Sequence, residues 1–92
     1  MDHPARNAKR QKIFEPFVIC GPKGERRAHL LDISETGALI HSEPSCDRGA
    51  LVRLSIQDTT VAAQVAWSSP PRFGVTFSQR HSADTVKAFL RA

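Results

Sequence analysis

Two arginines four apart, Arg6 and Arg10, and the trio Asp32, Ser34 and Gly37 are the residues whose types and spacing suit a specific chemistry. A guanidinium is a planar fork of donors. It fits phosphate oxygens and the O6/N7 edge of guanine, and it stacks on bases. A carboxylate such as Asp32 offers two acceptor oxygens, a match for the adjacent N1–H and N2–H₂ donors of guanine. Ser34 adds a hydroxyl, and Gly37 can take a positive φ at no steric cost, which lets a turn close tightly and a ligand approach the backbone. Acceptors on one element and forks on another would complement a molecule that has both guanine and phosphate. Asp32 also has a structural reading, because Asp often caps its own turn. Taken without the arginines, that reading is the stronger of the two.

The elements that would position these residues are short strands. "IFEPFVIC" (13–20) is rich in β-branched and aromatic residues, and Pro16 marks it as an edge or bulged strand. "GPKG" is a turn, "ERRAHLLDIS" (25–34) a second strand and "GALIHS" (37–42) a third, with "SETG" as the tight turn between them. Successive strand residues face opposite sides, so Asp32 and Ser34 are expected to share the outer face while Ile33 points to the core. "EPSCDRG" has turn chemistry throughout. "ALVRLSI" (50–56) and "TVAAQVAW" (60–67) then form a hairpin about "QDT". Val61, Ala63, Val65 and Trp67 alternate with small or polar residues, which places Trp67 in the core. "FGVTF" (73–77) puts Phe73, Val75 and Phe77 on one side. The tail "SADTVKAFLRA" changes to helical spacing, with Ser82 as N-cap, Asp84 in the first turn, and Val86, Phe89 and Leu90 as the apolar face. Six local strands and one helix predict a small antiparallel β-barrel, closed to avoid exposed edges, with the helix over one opening.

Ninety-two residues make one domain, and 40% hydrophobic with 24% charged residues is the balance of a globular chain. The net charge is +4, and +3 of it lies in residues 1–12, where Arg6, Lys9, Arg10 and Lys12 face Asp2 alone. A flexible basic arm (1–12) on a nearly neutral barrel and helix (13–92) suggests an anionic partner that meets the arm. No apolar run is long enough to span a membrane and the stretch "MDHPARNAKRQK" has no apolar segment for export, so the expected compartment is the cytoplasm, with no membrane insertion. Cys20 and Cys46 have no metal-like spacing and are expected to be free, buried thiols. His3, His29, His41 and His81 show no ligand spacing, and neither a nucleophile elbow nor a phosphate-loop pattern is present. No metal, cofactor or catalytic constellation is expected.

"RNAKR" (6–10) followed by "DISETG" (32–37) resembles the RxxxR and [DN]xSxxG pair of PilZ domains, bacterial receptors for the second messenger cyclic di-GMP. The intervening residues hold one strand and most of the next, as in that family, and "VAW" (65–67) and "FGVTF" (73–77) are similar to its later strands. The likeness spans roughly residues 6 to 78. It implies a six-stranded barrel with a C-terminal helix and no catalysis. It also implies that Arg6 and Arg10 grip phosphates and guanine edges, that Asp32 and Ser34 meet a guanine, and that Gly37 shapes the turn.

Many members carry an Arg directly before the first motif Arg, where this chain has Ala5. In the family that position influences whether one ligand or a stacked pair is bound, so a single ligand is expected here. Arg72 either reaches the ligand or covers its loop, and Trp67 is a further candidate contact should it not pack in the core. The family reading also implies an unidentified downstream protein. The rival reading is a basic RNA-binding barrel. Such modules display aromatics for base stacking, and here Tyr is absent and Phe73 and Phe77 are required by the core.

Overall fold

The computed structural model describes residues 11–56 and 59–89. Its strands are β1 (Gln11–Gly21), β2 (Gly24–Ile33), β3 (Gly37–His41), β4 (Leu51–Ile56), β5 (Thr59–Ser69) and β6 (Arg72–Phe77), followed by one helix, α1 (Ala83–Phe89). Alternation decides how they assemble. In β4, Val52, Leu54 and Ile56 are buried while Leu51, Arg53 and Ser55 are exposed. A strand with one apolar face must cover it, and curling six such strands on themselves covers all of them and removes the free edges. The result is a closed barrel in the order β1-β2-β3-β6-β5-β4, with every adjacent pair antiparallel. This is the predicted fold.

The interior is filled by inward side chains from every strand. Ile19, Leu30, Ile33, Ile40, Leu54 and Phe73 are almost or wholly excluded from water. Burying each such side chain contributes about 1.5–3 kcal/mol. Phe73, Val75 and Phe77 all face inward as expected. Cys46 is buried, whereas Cys20 is exposed on the outside of β1, contrary to the expectation for a core thiol. β1 begins at Gln11, two residues inside the stretch assigned to the arm. Its ladder to β4 covers only Val18 to Cys20, so Pro16 stands opposite His29 on β2 in a stretch where β4 adds no pairs. An edge-like Pro is tolerated there because Pro has no N–H to offer a second strand.

The ladders shift register in β1 between Lys12 and Glu15, in β2 and in β5, and the last two matter for the outer wall. In β2, Leu30 pairs with Ile40 but Asp32 pairs with Leu39, so Leu31 is an extra residue. In β5, Val65 pairs with Val75 but Trp67 pairs with Gly74, so Ala66 is extra. A bulge of this kind reverses which face later residues occupy. Without the first, Asp32 would follow Ala28 and Leu30 into the core. With it, Ile33 takes the inward position at 0% exposure, as the sequence led us to expect. The second bulge overturns the expectation for Trp67. Its register with Val65 is broken at Ala66, and the indole stands on the outside, 44% exposed.

The end of the barrel that carries the 34–37 turn is tied down from the C-terminal side. Phe77 N–H donates to the Thr36 carbonyl at 2.8 Å and His81 N–H donates to the Glu35 carbonyl at 2.8 Å. The Arg80 guanidinium places Nε at 3.1 Å and Nη2 at 2.6 Å from Glu35 Oε1. That pair is largely exposed and contributes little energy alone. Its role is to fix the approach of the helix. Ser82 then caps α1 as predicted, its Oγ accepting from the Thr85 N–H at 3.1 Å. Val86 joins the core, while Leu90 lies outside the described residues.

Gly37 is needed for a different reason from the one expected. Positive φ among the described glycines occurs at Gly24 (104°) and Gly49 (89°), not at Gly37. At Gly37, which pairs with Thr76, a Cβ would fall onto the carbonyl oxygen of Val75. The residue permits close approach of β3 to β6. Gly37→Ala should therefore destabilise the barrel by about 1–3 kcal/mol, as overpacking against backbone does. Chemical denaturation should show a lower midpoint with an unchanged slope.

Candidate functional site

The two bulges feed one line of residues. Asp32 on β2 pairs with Leu39 on β3, Leu39 with Gly74 on β6, and Gly74 with Trp67 on β5. The four positions form a transverse row across the outer wall, with a carboxylate at one end and an indole at the other. On the far side of Asp32 the row continues to Lys12 of β1. Gly74 is the floor beneath Trp67. A Cβ there would lie 2.6 Å from Cε2 and 3.0 Å from Cδ1 of the indole.

A groove of about 340 Å³ follows this wall, lined among others by Ser34, Gly37, Leu39, Trp67, Arg72 and Thr76. Its floor is apolar and small, its rim has hydroxyls, and Arg72 supplies a cation at the end away from the turn. Such a mixture suits a flat, partly apolar ring with polar edges and an attached anion. A larger concavity of about 580 Å³ lies across β1, β4 and β5, but among the described residues Arg53 is the only charged group lining it. Among the described residues no acceptor set for a base lines that face, and Asp32, Ser34, Gly37, Trp67 and Arg72 do not line it.

The local structure of the turn explains Ser34. Its backbone N–H donates to the Gly37 carbonyl at 2.9 Å, and its Oγ accepts from the Thr36 N–H at 3.3 Å. The hydroxyl also lies 3.4 Å from both Thr36 Oγ1 and the Gly37 carbonyl. Ser34 thus organises the turn, the task that the structural reading assigned to Asp32. Both residues are covered from solvent, Asp32 at 6% and Ser34 at 7% exposure. Asp32 is therefore placed on the outer side of β2 but does not stand free in water, and it is engaged with a partner.

Of the residues singled out in the sequence, the structure gathers Ser34, Gly37, Trp67 and Arg72 around one groove, with Asp32 in the row that crosses it. Arg6 and Arg10 lie outside the described residues. Their attachment point is defined, because Gln11, the first residue of β1, pairs with Ile33. The chain therefore enters the barrel beside the Asp32–Gly37 segment. Sequence reasoning did not anticipate Leu39 and Gly74 as the floor or Glu35 and Arg80 as the brace. Glu35 and Arg80 are 45 positions apart, and only the topology brings them together.

Among the described residues there is no group of three or more His, Cys, Asp and Glu suited to hold a metal ion, and no helix long and apolar enough to cross a membrane.

A closed six-stranded antiparallel barrel with this walled groove is the frame of a ligand-receiving domain. Its relationship is shown by comparison with protein families: the PilZ domain matches residues 4–92, and the chain belongs to that family. The match includes both the RxxxR and the DISETG segments. Among curated proteins no match to the chain was found. PilZ domains form a receptor family for cyclic di-GMP and are binding modules rather than enzymes.

The chain has one tryptophan, which makes the groove observable in solution. In Gly74→Ala the added methyl must displace the indole from the wall. The expected result is a red-shifted Trp67 emission with a change of less than about 1 kcal/mol in stability, since an exposed side chain moves more cheaply than backbone.

Proposed function

We propose that this protein is a cyclic di-GMP receptor that binds the nucleotide along the Asp32–Leu39–Gly74–Trp67 row. The observation that carries the reading is the double bulge, which turns a carboxylate and an aromatic ring out of the core into the same row. A guanine lying on Leu39 and Gly74 has Trp67 at hand for stacking and the Ser34 hydroxyl at its rim. Asp32 accepts from N1–H and N2–H₂, and Arg72 meets a phosphate. Arg6 and Arg10 close over the ligand from the arm, whose last residue before β1 is Arg10. A single ligand is bound, because Ala5 supplies no further guanidinium for a second.

Binding changes the conformation of the arm, and this is how the signal reaches a partner protein. Ordering the five residues Arg6 to Arg10 costs about 5–10 kcal/mol of backbone entropy. Surface packing by polar side chains does not offset that, whereas a dianion held by several charge-assisted bonds from each Arg does. The ligand would thus determine when the arm lies against the wall, an order–disorder device.

Isothermal calorimetry with cyclic di-GMP, its linear dinucleotide and GTP tests the assignment, with the cyclic compound expected to bind most tightly. Asp32→Ala and Arg10→Ala should each weaken binding by about 2–5 kcal/mol while leaving the barrel folded. No heat from cyclic di-GMP at micromolar protein would refute the assignment. A large loss of melting temperature in Asp32→Ala with unchanged affinity would return Asp32 to a structural role. Trypsin cleavage after Arg6, Lys9 and Arg10 should slow strongly at saturating cyclic di-GMP, and equal rates would exclude the arm as the moving part.

A further inference from the structure

A second transverse row runs beside the first. Pro16 on β1 pairs with His29 on β2, His29 with His41 on β3, His41 with Arg72 on β6, and Arg72 with Ser69 on β5. Twelve positions apart in the chain, the two histidines become direct cross-strand neighbours on the outer wall. Their ring centroids are 6.4 Å apart and the planes are tilted by 56°. That is the spacing of a tilted aromatic pair, which sets two imidazoles side by side on the wall, and His29 is engaged with a further partner.

The surroundings favour an anion. Arg72 is exposed, lines the end of the groove next to His41, and its guanidinium makes no ion pair among the described residues. Arg27, two residues before His29, is exposed on the same face. The carboxylates nearby are Glu43, exposed beyond the end of β3, Glu15, half-buried before Pro16, and Asp32, buried in the neighbouring row. The distance also fits. From Gly37 at the turn to His41 is four residues of strand, about 13 Å, which is the reach of a dinucleotide rather than of one base.

We infer that His29, His41 and Arg72 form an anion subsite at the far end of the groove, taking a phosphodiester oxygen of the bound nucleotide when the imidazoles are protonated. The inference rests on the nucleotide reading of the groove for its natural ligand, and its chemistry, a phosphate oxyanion, can be probed separately. The direction of the pH effect follows from linkage. An anion bound beside the imidazoles favours their charged form, so protonation and anion binding reinforce each other. The added affinity is therefore greatest at acid pH, where imidazoles carry charge, and declines as pH rises.

The test uses the full chain and two readouts. Histidine ring resonances are followed by NMR across pH with and without inorganic diphosphate. The His29 and His41 ring resonances should move on addition of diphosphate at acid pH, while those of His81, on the β6–α1 linker, should not. In parallel, the Kd for cyclic di-GMP should tighten by about tenfold from about pH 8 to about pH 5.5. The double variant His29→Gln/His41→Gln should lose that slope and keep its affinity at the alkaline end. His29 and His41 resonances indifferent to diphosphate, or a pH slope retained in the double variant, would overturn the subsite. A response to diphosphate without any binding of cyclic di-GMP would uphold the subsite and refute the nucleotide reading instead.

Discussion

The extra residue in each of two strands is the constraint on which the outer wall depends. A closed barrel of this size has no slack in its alternation, because every inward position must be apolar and every strand is paired on both sides. Polar or bulky residues reach the outside only at positions of the right parity. Leu31 and Ala66 shift that parity in β2 and β5. One slip keeps a carboxylate out of the core, where an unpaired charge would cost several kcal/mol. The other brings out the protein's sole tryptophan, which would otherwise continue the Val61–Ala63–Val65 face. Both land in the row that Leu39 and Gly74 complete. Bulges near sites redirect side chains in this way at the expense of some ladder regularity.

Around that row the backbone is held from several directions. Gly37 lets β3 lie close against the Val75 carbonyl, Ser34 closes the turn, and the Phe77 and His81 amides anchor it to the chain leading into α1. A wall fixed in this way would lower the ordering cost of binding under the proposed function. The basic arm is the complementary part. Gln11, where β1 begins, pairs with Ile33, so under the proposed function the arginines that precede it would meet a dianion beside this wall. Under the proposed function recognition and signalling are separate tasks: the groove would select the base, and the arm would change the surface offered to a partner.

The fold was largely legible in the sequence. Period-2 patterns in 50–56, 60–65 and 73–77 and the Ser82 cap are local signals, and local signals survive into the structure when packing agrees with them. The motif residues were legible for the same reason: Asp32, Ser34 and Gly37 lie within six residues. What was hidden required pairing partners. "LLD" and "VAW" carry no mark of a bulge, since the extra residue exists only relative to the neighbouring strand, and so Trp67 was read as core. Gly37 was read through its own backbone freedom, when the deciding fact was a carbonyl on β6. Cys20 was read by residue type, although its position on β1 faces outward. Glu35 with Arg80, and His29 with His41, are neighbours by topology alone.

The central claim is that a guanine lies on the Asp32–Leu39–Gly74–Trp67 row. Intermolecular NOEs in a complex of isotopically labelled protein with unlabelled cyclic di-GMP test it most directly. The account predicts contacts from the guanine H8 and ribose H1′ protons to the Leu39 methyls and the Trp67 ring. Contacts instead to Leu51 and Ala62, in the larger concavity across β4 and β5, would contradict it.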